Sequence, residues 1–223
     1  MNIYATEEEQ IAKIKEWLRN YGFTILLGIV LAIGLSYGYR YWVGHTEKLY
    51  EQASVGYENM MSNLIAKNTD KATLQAQYLI KRFPNTGYAQ SAALVLAQIA
   101  ADNNQLDEAA KQLKQIASNA KNSGIRQLAT IRYARILSAQ NKNQDALNEL
   151  EAVKDKAFTA AVEMIKGDIY TKLNQVDKAK QSYALALSAL GNVNIDNRLL
   201  QMKIDNLSKA EISTANQQIG EKA

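Results

Sequence analysis

Acid–base catalysis needs titratable groups sheltered in a cleft, with environments that drive their pKa values apart. The paired carboxylates of the repeat region include Asp107 with Glu108 and Glu149 with Glu151. Both pairs fall on expected helix surfaces, where charges do no more than solvate. Thiol and metal chemistry have even less to work with. The chain has no cysteine and a single histidine, His45, which excludes a thiol nucleophile, a disulfide framework and sites built from Cys or several His ligands. It contains no glycine-rich phosphate cradle, HExxH helix or nucleophile elbow. His45 directly follows an apolar run and reads as a wet neighbour of a membrane surface rather than a proton switch. The residue types point to a non-enzymatic protein without cofactor or metal.

Binding is what the pattern offers, once a repeat assigns positions. Gly167, Asp168, Ile169 and Tyr170 lead through Asn174 to Val176, Asp177, Lys178 and Ala179, then to Tyr183 and Ala186. This follows the tetratricopeptide frame: small at position 8, aromatic at 11, apolar at 17, Ala at 20, aromatic at 24 and Ala at 27. The frame recurs on Ala97, Leu106, Ala109, Leu113 and Ile116, and on Ala134, Leu137, Ala146, Leu150 and Val153, with Asn143 a polar departure at position 17. Upstream it places Ala72 at position 20, Leu79 at 27 and the only proline, Pro84, at 32. The position-20 alanines are 37, 37 and 33 residues apart.

Such a repeat predicts an all-α solenoid of about four helix pairs, with close helix crossings at positions 8 and 20. The stretch from Asp196 to Leu207 has apolar residues at helical spacing and is expected to cap the stack. A concave face would be built from positions 2, 5, 9 and 12 of the first helices. These are Tyr57, Met61 and Leu64; Leu94 and Gln98; Leu128, Ile131 and Arg135; and Met164 and Asp168. The face is mainly apolar, suited to loose recognition of extended chains, although the same residues could equally serve as contacts under a neighbouring helix.

Ahead of the repeats, Tyr21 to Tyr39 carries no charge for 19 residues, a helix of roughly 28 Å against a hydrocarbon core of about 30 Å. Trp17 and Tyr21 at one end and Tyr37, Tyr39, Tyr41 and Trp42 at the other read as interfacial anchors contacting membrane lipids. Thr6 and Glu9 form a capping box for a short amphipathic segment that either lies on the membrane or continues the span. Lys13, Lys15 and Arg19 before the span, against Arg40 and Lys48 after it, favour a cytoplasmic N-terminus. Gly34 and Gly38 read as ordinary transmembrane glycine usage. The expected organisation is a segment 1–20, a transmembrane helix 21–43, a repeat domain 46–207 and a polar tail 208–223.

Composition agrees with this reading. One proline in 223 residues, where about 11 would be usual, leaves little to interrupt helices. The 26 basic and 22 acidic residues give +4, too thin a charge for a nucleic-acid footprint.

The chain resembles the YfgM-like family of ancillary SecYEG translocon subunits. The likeness is carried by Ile3 and Tyr4, by Arg40, Tyr41 and Trp42, by Glu108, Ala109 and Ala110, and by Gln201, Met202, Lys203 and Ile204 with Asn206, Leu207 and Ser208. The resemblance implies a bacterial inner-membrane protein with a periplasmic repeat domain and no enzymatic activity. Its partners would be the SecYEG channel, a PpiD-like periplasmic chaperone, and secreted client polypeptides emerging from the channel. Through the N-terminal segment it also implies contact with a cytoplasmic stress-response regulator. The alternative is a general envelope scaffold organising another inner-membrane complex.

Overall fold

The computed structural model describes residues 7–191 and 197–208, and among these it contains helices and no strand. In chain order the helices are α1 (Glu7–Ile65), α2 (Thr69–Arg82), α3 (Gly87–Asp102), α4 (Leu106–Asn119), α5 (Ser123–Ala139) and α6 (Asn143–Glu151). A 3₁₀ turn (Lys156–Phe158) precedes α7 (Thr159–Lys172) and α8 (Val176–Leu190). Residues 197–208 are helical as well and are denoted α9. The chain forms two compact units, Met1–Gln52 and Ala53–Ala223, and each is taken by itself.

The first unit is the larger part of α1, and helix already covers residues 7–20, so the segment expected before the span continues it. Its capping residue Thr6 lies outside the described residues, as do Ile3 and Tyr4. The apolar side chains of the run from Phe23 to Tyr41 are exposed, Leu35 to 73% and Phe23 to 77%. Among the described residues α1 alone is long and apolar enough to cross a membrane. The anchor residues Trp17, Tyr21, Tyr37, Tyr39, Tyr41 and Trp42 are all exposed. Trp17 and Tyr21 pair at 6.1 Å between ring centroids, and the Tyr41 ring stacks on His45.

The second unit is a stack of four helix pairs: the end of α1 with α2, α3 with α4, α5 with α6, and α7 with α8. Helices pack mainly on their sequence neighbours, and α3, α5 and α7 also touch one another in series, the nearest-neighbour logic of a solenoid. All four position-20 alanines, Ala72, Ala109, Ala146 and Ala179, have no exposed surface. Each sits where the helices of a pair cross, and a larger side chain would force the backbones apart. Gly167 makes the same point at position 8, because a Cβ there would lie 2.4 Å from Cε1 of the buried Tyr183. In the first pair position 8 is the fully buried Met60. The close approach moves to Gly56, where a Cβ would lie 2.8 Å from a Leu79 methyl.

The turn inside each pair is built alike. Lys67, Asn104, Asn141 and Asn174 all have φ between 54° and 63°, each five residues before its alanine. In every case the next N–H closes a six-residue turn: Asn68 to Asn63, Gln105 to Ala100, Lys142 to Leu137 and Gln175 to Tyr170, at 2.8–2.9 Å. This is the Schellman arrangement, whose left-handed residue is best supplied by Gly or Asn.

The shortened spacing before Ala179 has a counterpart in α6, which has 9 residues where α2 and α4 have 14. The connection that follows is held by Gln127, whose Oε1 accepts from the N–H groups of Lys154 and Asp155. The polar departure Asn143 is also accounted for, since its Oδ1 accepts from the buried Ser138 hydroxyl at 3.3 Å. The main core joins Leu94, Ala97, Leu113, Ile131, Leu137, Leu150, Ile165 and Ile169 across α3 to α7. A second core sets Leu200, Ile204 and Leu207 of α9 against Ala179, Tyr183 and Ala186, so α9 closes the stack as expected. The residues beyond 208, where the polar tail was expected, lie outside those described.

Candidate functional site

Two of the ten groove candidates are corrected by their burial. Leu94 and Ile131 are 5% and 4% exposed and belong to the main core. Position 5 in these units faces the next pair, so an apolar side chain there packs rather than waits for a partner. Leu128 packs against that core and Met164 against the second one. Gln98 is exposed, with its amide donating to Asp102 Oδ1. Met61 and Leu64 are half-buried, as is Tyr57, whose ring lies 5.7 Å from that of Tyr88.

The structure brings the two charged candidates, Arg135 and Asp168, to one place. They line a cavity of about 570 Å³ together with Ser138, Ala139, Ile165, Thr171, Lys172, Tyr183, Lys203, Asn206 and Leu207. Its walls come from α5, α7, α8 and α9. Arg135 and Ser138 stand one turn apart on α5, and Asp168 and Lys172 one turn apart on α7, which is the spacing that puts both pairs on a common helical face.

A hydrogen-bond network organises the floor. The Tyr183 hydroxyl donates to Asp168 Oδ1 at 2.7 Å and lies 3.3 Å from the Thr171 hydroxyl. Lys203 forms an ion pair with Asp168 and places its ammonium 5.4 Å from the Tyr183 ring centroid. Burial raises the Tyr183 phenol well above its ordinary value; the Thr171 hydrogen bond opposes this and Asp168 adds to it. Lys172 donates from Nζ to the carbonyl and hydroxyl oxygens of Ser138, at 3.0 and 3.2 Å.

Positive charge dominates the site. The arginines of α5 are Arg126, Arg132 and Arg135, and α5 contains no acid. Arg126 donates to the carbonyls of Ala120 and Lys121, and Arg132 to that of Leu94. Among the described residues none of the three forms an ion pair. The Arg132 guanidinium is held below its ordinary pKa by burial and then by Arg135, with Tyr57 opposing. Among the described residues Asp168 is the single acid lining the cavity, against three cations.

Position 12 of the frame falls on Ser138 in the third unit and on Thr171 in the fourth, two lining residues outside the ten groove candidates, while Lys172 lies one position further along. Lys203 and Asn206 carry the family resemblance alone and Leu207 also the expected cap, and folding turns that segment into a wall of the cavity. A second cavity, about 540 Å³, lies among α2, α3 and α4 and is lined by Ile80, Pro84, Leu96, Ile116 and several glutamines. It contains none of the candidate residues. No cluster of His, Cys, Asp or Glu among the described residues is arranged to hold a metal ion.

With this geometry established, the chain can be set beside known proteins. The tetratricopeptide repeat-like domain family matches residues 15–209. Proteins named ancillary SecYEG translocon subunit are similar to it. The one from Escherichia coli (strain K12) is 29% identical over 108 residues, 48% of this chain and 52% of its own length. That from Aggregatibacter actinomycetemcomitans is 36% identical over 102 residues, 45% of this chain and 49% of its own. The chain spans about half the length of the curated relatives it matches. Among solved structures, BtubC from P. vanneervenii has a TM-score of 0.56 at 15% identity, over 73% of this chain and 84% of that one. MamA from Desulfovibrio magneticus RS-1 has 0.51 at 16%, over 72% and 96%. At these identities the likeness is one of fold.

Proposed function

Because this chain belongs to the tetratricopeptide repeat-like domain family, whose stacked helix pairs serve as binding scaffolds, we propose that it is a non-enzymatic, membrane-anchored adaptor of the SecYEG translocon. The observation that carries this reading is the union, in one chain, of an apolar helix able to cross a membrane with a repeat stack that holds an open, charged cavity. The name shared by its relatives supports the choice of SecYEG. The protein sits in the bacterial inner membrane as a single-pass protein with the N-terminus in the cytoplasm, an orientation supported by the three basic residues that precede the span. The repeats then lie in the periplasm and assist client polypeptides leaving the channel, together with a PpiD-like chaperone. Contact of the N-terminal segment with a cytoplasmic stress regulator belongs to the same reading. Anchoring matters physically, because a tether confines a weak binding surface beside its target at an effective concentration in the millimolar range.

The test is affinity purification of the full chain from mildly crosslinked membranes. SecY should be enriched over its level with an unrelated single-span protein of equal abundance. Absence of that enrichment, or recovery of a different membrane complex instead, would overturn the reading. Protease added to spheroplasts should remove the repeats and spare the N-terminus; the reverse pattern would invert the orientation.

A further inference from the structure

Among the described residues, three cations and one carboxylate line the α5–α7–α9 cavity, and their partners are unevenly shared. Lys203 is committed to Asp168. Lys172 is satisfied only by the neutral oxygens of Ser138, and with three N–H donors it has one to spare. Arg135 is exposed and forms no ion pair among the described residues. The site thus keeps two cations in excess of its acid, one of them a planar fork suited to bidentate contact with a carboxylate. Apolar surface from Ala139, Ile165 and Leu207 lies beside them, and Asp168 offers an acceptor to a main-chain N–H.

We propose that this cavity binds the carboxylate of an acidic residue in an extended polypeptide, with Arg135 and Lys172 taking the carboxylate, Asp168 a neighbouring amide, and the apolar wall a flanking side chain. The inference rests on the adaptor reading and names the chemistry its cavity selects. A polypeptide fits better than a phosphate headgroup for two reasons. The Asp168 carboxylate opposes a second negative charge without an N–H beside it, and the apolar wall has use only for a ligand with a side chain. The carboxylate comes either from an Asp or Glu side chain or from a chain terminus, and the probes below separate the two.

The experiment uses the full chain in phosphatidylcholine nanodiscs and a fluorescent peptide of alternating Leu and Glu with an amidated C-terminus, read by anisotropy at low salt. The Leu–Glu peptide should bind about tenfold or more tightly than its Leu–Gln counterpart. A Leu–Gln peptide with a free C-terminus that binds equally well would assign the site to chain ends, which still supports carboxylate recognition. Arg135→Gln with Lys172→Gln should abolish the preference for Glu. Arg135→Gln alone, at an exposed position where folding is not at stake, should weaken it severalfold. SecY enrichment is measured on the same variants, so loss of the preference with SecY retained isolates the cavity from the adaptor reading. Equal binding of the amidated Glu, amidated Gln and free-terminus Gln peptides, an unchanged preference in both variants, or displacement by glycerol phosphate but not by acetate would overturn the proposal.

Discussion

At the scale of single residues, the four left-handed turn positions form an internal comparison. Asn occupies three of them and Lys67 the fourth. A residue with a Cβ and no short polar side chain pays about 1 kcal/mol or more in that conformation, which Gly and Asn visit routinely. Lys67→Asn should therefore raise stability by about 0.5–1 kcal/mol, read as a higher denaturant midpoint at unchanged slope, while Asn141→Ala should lower it. Equal midpoints for Lys67→Asn and the parent would mean that the turn conformation is not being strained. Tyr183 gives a second check. Its folded-state pKa is raised by burial, so the unfolded chain ionises first, near pH 10. The stability held by the neutral phenol is complete below that pH and drains away as pH rises from there toward the folded value. Tyr183→Phe should be less stable at neutral pH, yet lose stability less steeply above pH 10 than the parent does.

Crossing points govern the scale of elements. Gly167→Ala places a methyl against a buried ring that cannot withdraw, and it should cost about 1–3 kcal/mol through overpacking. Ala179→Trp, in the same pair, should cost at least as much; an unfolding midpoint unmoved by either would refute the crossing geometry. These positions were legible in the sequence because a helix crossing tolerates only small residues, and their spacing reports the period whatever the rest of the chain contains. The groove was legible in part. Arg135 and Asp168 could be placed by the frame, yet whether Ile131 binds or packs depends on how far the neighbouring pair closes over it, a tertiary quantity without a local signal. Lys203 lay further from reach, since its role depends on α9 folding onto a pair that precedes it in the chain.

Across the second unit, the main core runs from α3 to α7 and is bounded on one side by the smaller core beneath α9. Stability in such a stack is a sum of local and neighbour contributions, so opening should be graded rather than all-or-none. Amide exchange measured on the full chain should be slowest in α5 and α7 and faster in α9; uniform protection throughout would argue against separable repeats. The place of Lys203, Asn206 and Leu207 in the cavity wall carries a consequence in time. A chain is made from its N-terminus onward, so all four helix pairs are available to fold before the segment that finishes the cavity has arrived. Until α9 docks, Asp168 lacks its lysine and the pocket lacks one side. The nascent protein is thereby a scaffold that has not yet learned to bind, and a chain stopped after Leu190 should keep its helical pairs while showing no preference for an acidic peptide.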